Sequence, residues 1–72
     1  MRTYLSNIRE ETQCTQEQAA KAMGIVQGYY NAIEQGVKQK VMDMKTLLSI
    51  AKAFNKTPEE IFALEMQYMH QK

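Results

Sequence analysis

An all-α fold of five short helices is predicted by two observations. No window of the 72-residue chain alternates apolar and polar residues with the period of two that marks strands. Apolar residues recur at helical spacing instead, and two segments, at Thr15 and Thr57, begin with the S/T-x-x-E/Q pattern of a capping box. We therefore expect one domain over residues 1–72, with its core in residues 3–64 and with residues 65–72 as a helical extension or tail.

The first two helices are separated by a polar junction. We expect the first over residues 3–12, with Leu5 and Ile8 three positions apart on its inner face. The second begins at Thr15 and ends at Gly24, which can take the left-handed conformation of a helix end. Its inner face is predicted to consist of Ala19, Ala20 and Met23.

A third helix is expected over residues 27–35, with Gly36 as its stop. Tyr30 and Ile33 are predicted to face inward. Tyr29 is adjacent to Tyr30, so the two rings cannot share a face of the helix, and we expect Tyr29 to stay exposed.

The last two helices have clear start signals. Asp43 is a good N-cap for the fourth helix, and Thr57 is followed by Pro58 at the first helical position and by Glu60 to close the box. In the fourth helix the apolar residues at helical spacing are Met44, Leu47, Leu48, Ala51 and Phe54. The fifth has one apolar side of Ile61, Leu64 and Tyr68, and an adjacent one of Phe62, Met66 and Met69.

Cysteine and histidine usage argues against a disulfide or metal framework. Cys14 is the only cysteine, so no internal disulfide can form; we expect it to be buried as a small hydrophobe, with a redox sensor as the minor alternative. Cys14 and His70 supply too few soft ligands for a metal cage. Met66 and Met69 lie near His70, but such spacing arises by chance on a helix. No metal or cofactor is expected.

Other classes of function are excluded in the same way. The sequence shows no signal-peptide pattern and no apolar run long enough to cross a bilayer, so a soluble, cytoplasmic protein without membrane contact is expected. It has no combination of histidine, carboxylate and nucleophile and no glycine-rich phosphate loop, so we do not expect an enzyme.

Residues 15–36 carry most of the functional information. Two short helices joined by a tight turn form a helix-turn-helix layout, which places its second helix in the major groove of DNA. The net charge of +1 neither supports nor excludes nucleic acid. Residues 37–42, however, contain Lys38 and Lys40 and no negative charge. These lysines are candidate phosphate contacts, with a merely solvated basic loop as the alternative.

The stretch over residues 5–62 resembles the lambda-repressor-like helix-turn-helix regulators of bacteria and their phages. The matching pieces are residues 8–11, 15–20, 23–25, 33–36, 47–54 and 57–62. This resemblance implies a compact five-helix lambda-repressor-like DNA-binding domain, with the helix-turn-helix formed by the second and third helices.

The resemblance also implies roles position by position. Arg9 and Glu34 would form a structural pair across the helices, and Gln16 would bond a backbone phosphate. Base-facing positions are Gln27, Gly28, Asn31 and Ala32. Contacts to the DNA backbone would come from Gln16 and Tyr29, in addition to Lys38 and Lys40 of the loop.

Three departures from the family pattern weaken direct base readout. Val26 stands where a capping Ser or Thr is usual, Gly28 and Ala32 lack side-chain donors, and the loop over residues 36–43 is longer and has no proline. Gln27 is the main candidate reader, because its amide can pair with adenine. Specificity is otherwise expected to be loose, or to depend on DNA shape and methyl contacts.

The stripe of Phe62, Met66 and Met69 predicts a two-fold homodimer that faces a palindromic DNA site, with a frayed tail as the alternative. The leading hypothesis is a sequence-specific transcriptional repressor of phage, plasmid or mobile-element type that acts by operator occupancy. The competing hypothesis is an antitoxin-like or antirepressor-like module that binds a protein partner through the same scaffold.

Overall fold

Five α-helices make up the computed structural model, which describes residues 1–71; short turns join them except for the longer loop between the third and fourth helices. The bounds are α1 Thr3–Glu11, α2 Gln16–Met23, α3 Gln27–Gln35, α4 Met44–Ala53 and α5 Pro58–His70. No strand occurs among the described residues, and none of their helices has the length and apolarity that a membrane crossing needs. The predicted all-α architecture is confirmed.

Three helices begin at the capping residues that the sequence predicts. The Thr15 hydroxyl accepts a bond from the Gln18 amide while the Gln18 side chain accepts from the Thr15 amide, and α5 repeats this box at Thr57. At α4, the Asp43 carboxylate accepts from the Thr46 amide at 2.7 Å. Each such cap contributes about 1 kcal/mol to helix stability. Local bonds of this kind explain why these starts could be predicted.

The starts of α1 and α3 lack a side-chain cap, whereas the end of α3 is capped by Gly36, whose amide bonds the carbonyls of Ala32 and Ile33. Val26 occupies the N-cap position and supplies no side-chain bond, as predicted, and the last turn has no basic residue. Tyr30 and Ile33 are completely buried. The start of α3 therefore depends on tertiary contacts rather than on a cap of its own.

The core is formed by one inward face from each helix. On α4 the buried stripe includes Ile50, which the sequence reading had missed, whereas Met44 and Leu48 are 69% and 47% exposed. Their assignment to the stripe is corrected because Met44 lies in the first turn, beyond the edge of the core, and Leu48 points about 100° away from Leu47. The buried apolar residues are Leu5, Ile8, Ala19, Ala20, Tyr30, Ile33, Leu47, Ile50, Ala51, Phe54, Ile61 and Tyr68.

Buried residues also lie outside the expected core limits of 3–64, because an ion pair permits charges to be buried there. The guanidinium of Arg2 donates from Nε to Glu65 Oε1 at 2.9 Å and from Nη2 to Glu65 Oε2 at 3.0 Å. Tyr4 adds a bond of 2.6 Å to the same carboxylate, and the ring of Tyr68 lies 5.1 Å from the guanidinium carbon. The two ends of the described chain are thereby joined.

The three glycines differ in what surrounds them. Gly24 and Gly36 both have the left-handed conformation, with φ of +72° and +82°. A Cβ on Gly24 would meet no atom within 4 Å, whereas one on Gly36 would lie 2.7 Å from the Tyr68 hydroxyl. Gly28 is an ordinary helical residue with open space around the Cβ position.

Alanine at each glycine should therefore give an ordered series of unfolding free energies, measured by urea denaturation. Gly28→Ala is expected to stabilise by about 0.5–1 kcal/mol, because a helical glycine costs that much relative to alanine. Gly24→Ala should destabilise by about 1–2 kcal/mol through backbone strain alone. Gly36→Ala should lose a further ~1 kcal/mol or more, because Tyr68 has to move. Equal losses at Gly24 and Gly36 would contradict the close approach of Tyr68.

Candidate nucleic-acid interface

One face of α3 is open to solvent. Gln27, Gly28 and Asn31 are exposed and Ala32 is partly exposed, because they lie away from the buried face of the helix. Gly28 is required neither by its backbone conformation nor by neighbouring atoms, although it weakens the helix. Because Gly28 has no side chain, another surface can approach the backbone of α3 closely at this exposed position.

The N-terminus of α2 is tied to this face by Gln16. Its amide nitrogen donates to Asn31 Oδ1 at 2.9 Å and to Glu34 Oε1 at 3.2 Å. Both amide hydrogens of Gln16 are engaged in these bonds, so a bond to phosphate requires one of them to be released. Asn31 uses its oxygen here, and its amide nitrogen remains the atom with which it can donate to DNA.

Behind the exposed face, the buried carboxylate of Glu34 connects α1, α2 and α3. Arg9 donates to it from Nε at 2.9 Å and from Nη2 at 3.3 Å, and from Nη1 to the Cys14 carbonyl at 3.2 Å. The structure thus brings the predicted Arg9–Glu34 pair together. Burial by itself would raise the pKa of Glu34, but hydrogen bonds from Arg9 and Gln16 and the charge of Arg9 outweigh it and hold that pKa below its usual range.

The loop between α3 and α4 presents two cations to solvent. Lys38 and Lys40 are exposed, and Gln39 between them turns its side chain inward. Gln39 donates to the Tyr29 hydroxyl at 2.9 Å and accepts from the Asp43 amide at 3.0 Å. These two bonds fix the middle of the basic loop against the helices on either side of it.

The expectation that Tyr29 is exposed is wrong. Its ring is half-buried and packs against the core, and its hydroxyl is held against the loop by the bond from Gln39. That hydroxyl accepts from Gln39 and can still donate its own hydrogen to a phosphate. Cys14 is also half-buried rather than fully buried, and packs against the same core.

A second exposed surface lies on the α4–α5 side of the molecule. It consists of apolar side chains that border one groove, and we call it the α4–α5 patch: Val41, Met44, Phe62, Met66 and Met69. Phe62 and Met66 are exposed and Met69 is half-buried, so the stripe predicted on α5 remains partly open to solvent. Val41 and Met44 had not been assigned to this surface from the sequence. Among residues 1–71, no group of three metal-ligating side chains could hold an ion.

Sequence reasoning also missed the polar residues that hold the site in place, namely Arg2, Gln39 and Glu65. A signal existed only for Glu65, which follows Ile61 by four positions and precedes Tyr68 by three. A carboxylate at an inward position needs a buried partner. Nothing in the sequence identifies that partner as Arg2.

The low pKa of Glu34 predicts part of the acid sensitivity of the fold. Because the folded-state value lies below the unfolded value of about 4.3, Glu34 contributes stability that is fully present above that pH and lost as the pH falls through the folded value. Unfolding free energies measured from neutral to acid pH should therefore fall less steeply for Glu34→Gln than for the wild type. Glu17→Gln, at an exposed carboxylate outside this network, is the control, and identical slopes for all three proteins would count against the assignment.

The comparison with known families agrees with this geometry. A family model described as helix-turn-helix matches residues 5–61, a stretch that includes Arg9, Gln16, α3 and the basic loop. Neither the curated proteins nor the solved structures gave a match. The matched stretch is most of the chain and has its helix-turn-helix at α2 and α3. The chain belongs to the lambda-repressor-like helix-turn-helix family of DNA-binding transcription regulators.

Proposed function

We propose that this protein is a sequence-selective repressor of phage, plasmid or mobile-element type, which acts as a homodimer by occupying its operator. The observation that carries the proposal is the open face of α3, backed by the buried Glu34 network. The backbone of such a helix can enter a major groove without moving relative to the rest of the domain, because its buried side is held by the other helices. DNA as the partner implies action in the cytoplasm of a bacterial host.

Base readout is proposed to be sparse. The amide of Gln27 can pair with the N6 and N7 edge of adenine, and Asn31 can donate from its amide nitrogen. Gly28 and Ala32 would allow the helix backbone to approach the groove floor, where apolar contacts to thymine methyl groups become available. Selectivity at the remaining positions would then come from DNA shape.

Phosphate contacts are proposed on both sides of α3. Gln16 lies at the start of α2 on one side, and Lys38 and Lys40 lie in the loop on the other side, where the Tyr29 hydroxyl is bonded to Gln39. Contacts of this kind fix the orientation of the protein on the duplex but carry no sequence information. Their number would set the salt dependence of the affinity.

The α4–α5 patch is proposed as the homodimer interface. Exposed fractions of 75% for Val41, 69% for Met44 and 56% for Phe62 leave apolar side chains in water that a second copy would cover. A two-fold axis through this patch would present two α3 helices to one side of the duplex, about 34–36 Å apart. The site would then be palindromic.

The same patch supports the competing function, an antitoxin-like or antirepressor-like module that binds another protein. The modest charge of +1 fits a surface that is not devoted to DNA alone. The two functions differ in what covers the patch: a second copy of this chain in one case and a different protein in the other. The oligomeric state of the isolated chain therefore discriminates between them.

In-vitro selection of bound duplexes, compared between the wild type and Gln27→Ala, tests base readout. The variant should lose its preference for adenine at one position per half-site, a discrimination of about 1–3 kcal/mol, and keep weak binding. Gln67→Ala, at an exposed glutamine of α5, is the matched control and should select the wild-type site. A wild-type protein that binds no duplex even at low salt would refute the proposed function, and an unchanged preference in Gln27→Ala would move base readout to other residues.

Phe62→Glu tests the dimer. A carboxylate in the middle of an apolar interface would have to be desolvated, so the variant should sediment as a monomer while the wild type sediments as a dimer. Ala63→Glu adds the same charge at an exposed α5 position outside the patch and should remain dimeric. If the wild type is monomeric at the concentrations at which it binds DNA, the dimer is refuted.

A further inference from the structure

Arg2 is the most heavily bonded side chain of the described residues, although nothing in the sequence marked it. It is completely buried. Besides the two bonds to Glu65, its guanidinium donates to the carbonyls of Ile33 at 2.7 Å, Lys38 at 3.3 Å and Gln39. All five N–H donors of the group are thereby engaged. Three of them bond to the backbone at the end of α3 and in the basic loop.

At the end of α3, Arg2 adds bonds from outside the helix to the one that the Gly36 amide makes to the Ile33 carbonyl. The last carbonyls of an α-helix have no bonding partner within it, and a positive charge at that end interacts favourably with the helix dipole. The last turn of α3 has no basic residue of its own. Arg2 supplies both a positive charge and hydrogen bonds at this end. Its guanidinium bonds the Ile33 carbonyl, and its backbone amide donates to the Glu34 carbonyl at 2.7 Å.

The basic loop has little apolar anchoring of its own. Val37 and Val41 are 63% and 75% exposed, and only Met42, at the α4 end of the loop, packs against the core. The side chains of Arg2 and Gln39 therefore hold the loop, together with backbone bonds from the amides of Val37 and Lys38 to Ala32. Arg2 bonds the carbonyls of Lys38 and Gln39, which lie on either side of the Gln39 Cα, and this fixes the backbone between Lys38 and Lys40.

We propose that Arg2 is a positioning residue for DNA binding: it sets the basic loop against the end of α3 so that Lys38 and Lys40 meet phosphates. Glu65 holds the guanidinium from the α5 side and orients it toward the loop. The role requires the planar five-donor fork of arginine, because the single ammonium of lysine cannot reach Glu65 and three separate carbonyls at once. This inference rests on the proposed DNA-binding function and names a residue through which that function is built.

The test has to separate positioning from stability. Arg2→Met alone would leave Glu65 buried without its partner and would destabilise the fold. The double variant Arg2→Met/Glu65→Met removes both charges and keeps side chains of similar volume, so it is expected to fold. Arg2→Lys keeps the charge and lacks the fork. Thermal unfolding of each variant establishes that the protein is folded at the temperature of the other measurements.

Amide hydrogen exchange provides the first readout and does not depend on DNA. In the double variant and in Arg2→Lys, the amides of Val37 and Lys38 should exchange at least about tenfold faster relative to those inside α2, because the loop opens locally. Unchanged protection of these two amides in the folded variants would overturn the proposal. Rescue by Arg2→Lys would also overturn it, since charge alone would then suffice.

The salt dependence of binding to a mixed-sequence duplex of about 30 base pairs provides the second readout. The plot of log affinity against log salt should be shallower by about 1–2 in the double variant, the loss expected for two phosphate contacts. Lys38→Ala/Lys40→Ala should show the same loss, and adding the Arg2 and Glu65 changes to it should cause no further loss. An unchanged slope, or fully additive losses, would refute the positioning role. Absence of wild-type binding would instead refute DNA binding, with the exchange data still deciding how the loop is held.

Discussion

One face of α3 is open to solvent, so everything that fixes this helix must act from its other face and its ends. The sequence of α3 offers no cap at Val26 and no cation in its last turn. The missing stabilisation comes from side chains of other elements: Arg9 and Gln16 bond the Glu34 carboxylate, and Arg2 bonds the carbonyls at the end of the helix. The architecture of the domain follows from this requirement, because α1, α2 and the chain start all converge on α3.

Buried charged side chains hold α3 in place, and burying them costs desolvation free energy. Removing a guanidinium and a carboxylate from water is compensated only when their hydrogen bonds are satisfied, and an apolar pair of equal volume would often be as stable. The Arg2–Glu65 pair satisfies that condition through carbonyls of the basic loop and the Tyr4 hydroxyl. Its advantage over an apolar pair is that its hydrogen bonds have fixed directions, so they hold the loop in one position as well as filling space.

The α4–α5 patch reflects the small size of the chain. A domain of this length buries only about 60% of the surface of its unfolded chain, and apolar residues at its edge remain in water unless a partner covers them. Glu65 borders the groove of the patch and also bonds Arg2. Glu65 and Arg2 thus connect the patch to the basic loop. A partner bound on the patch would lie near Glu65, and DNA bound at the loop would lie near the carbonyls that Arg2 holds.

The sequence by itself determined the starts of α2, α4 and α5 and the end of α2, because caps and left-handed glycines act within a few residues: Thr15, Gly24, Asp43 and Thr57 each behave as their local chemistry requires. It also indicated the exposed face of α3, since helical periodicity opposes that face to Tyr30 and Ile33. Only the tertiary structure decided which charged residues are buried, how Tyr29 meets Gln39, and that Arg2 closes the end of α3. Those contacts join residues far apart in the chain. A polar residue in a sequence does not reveal whether a distant partner will form the hydrogen bonds that compensate for its desolvation.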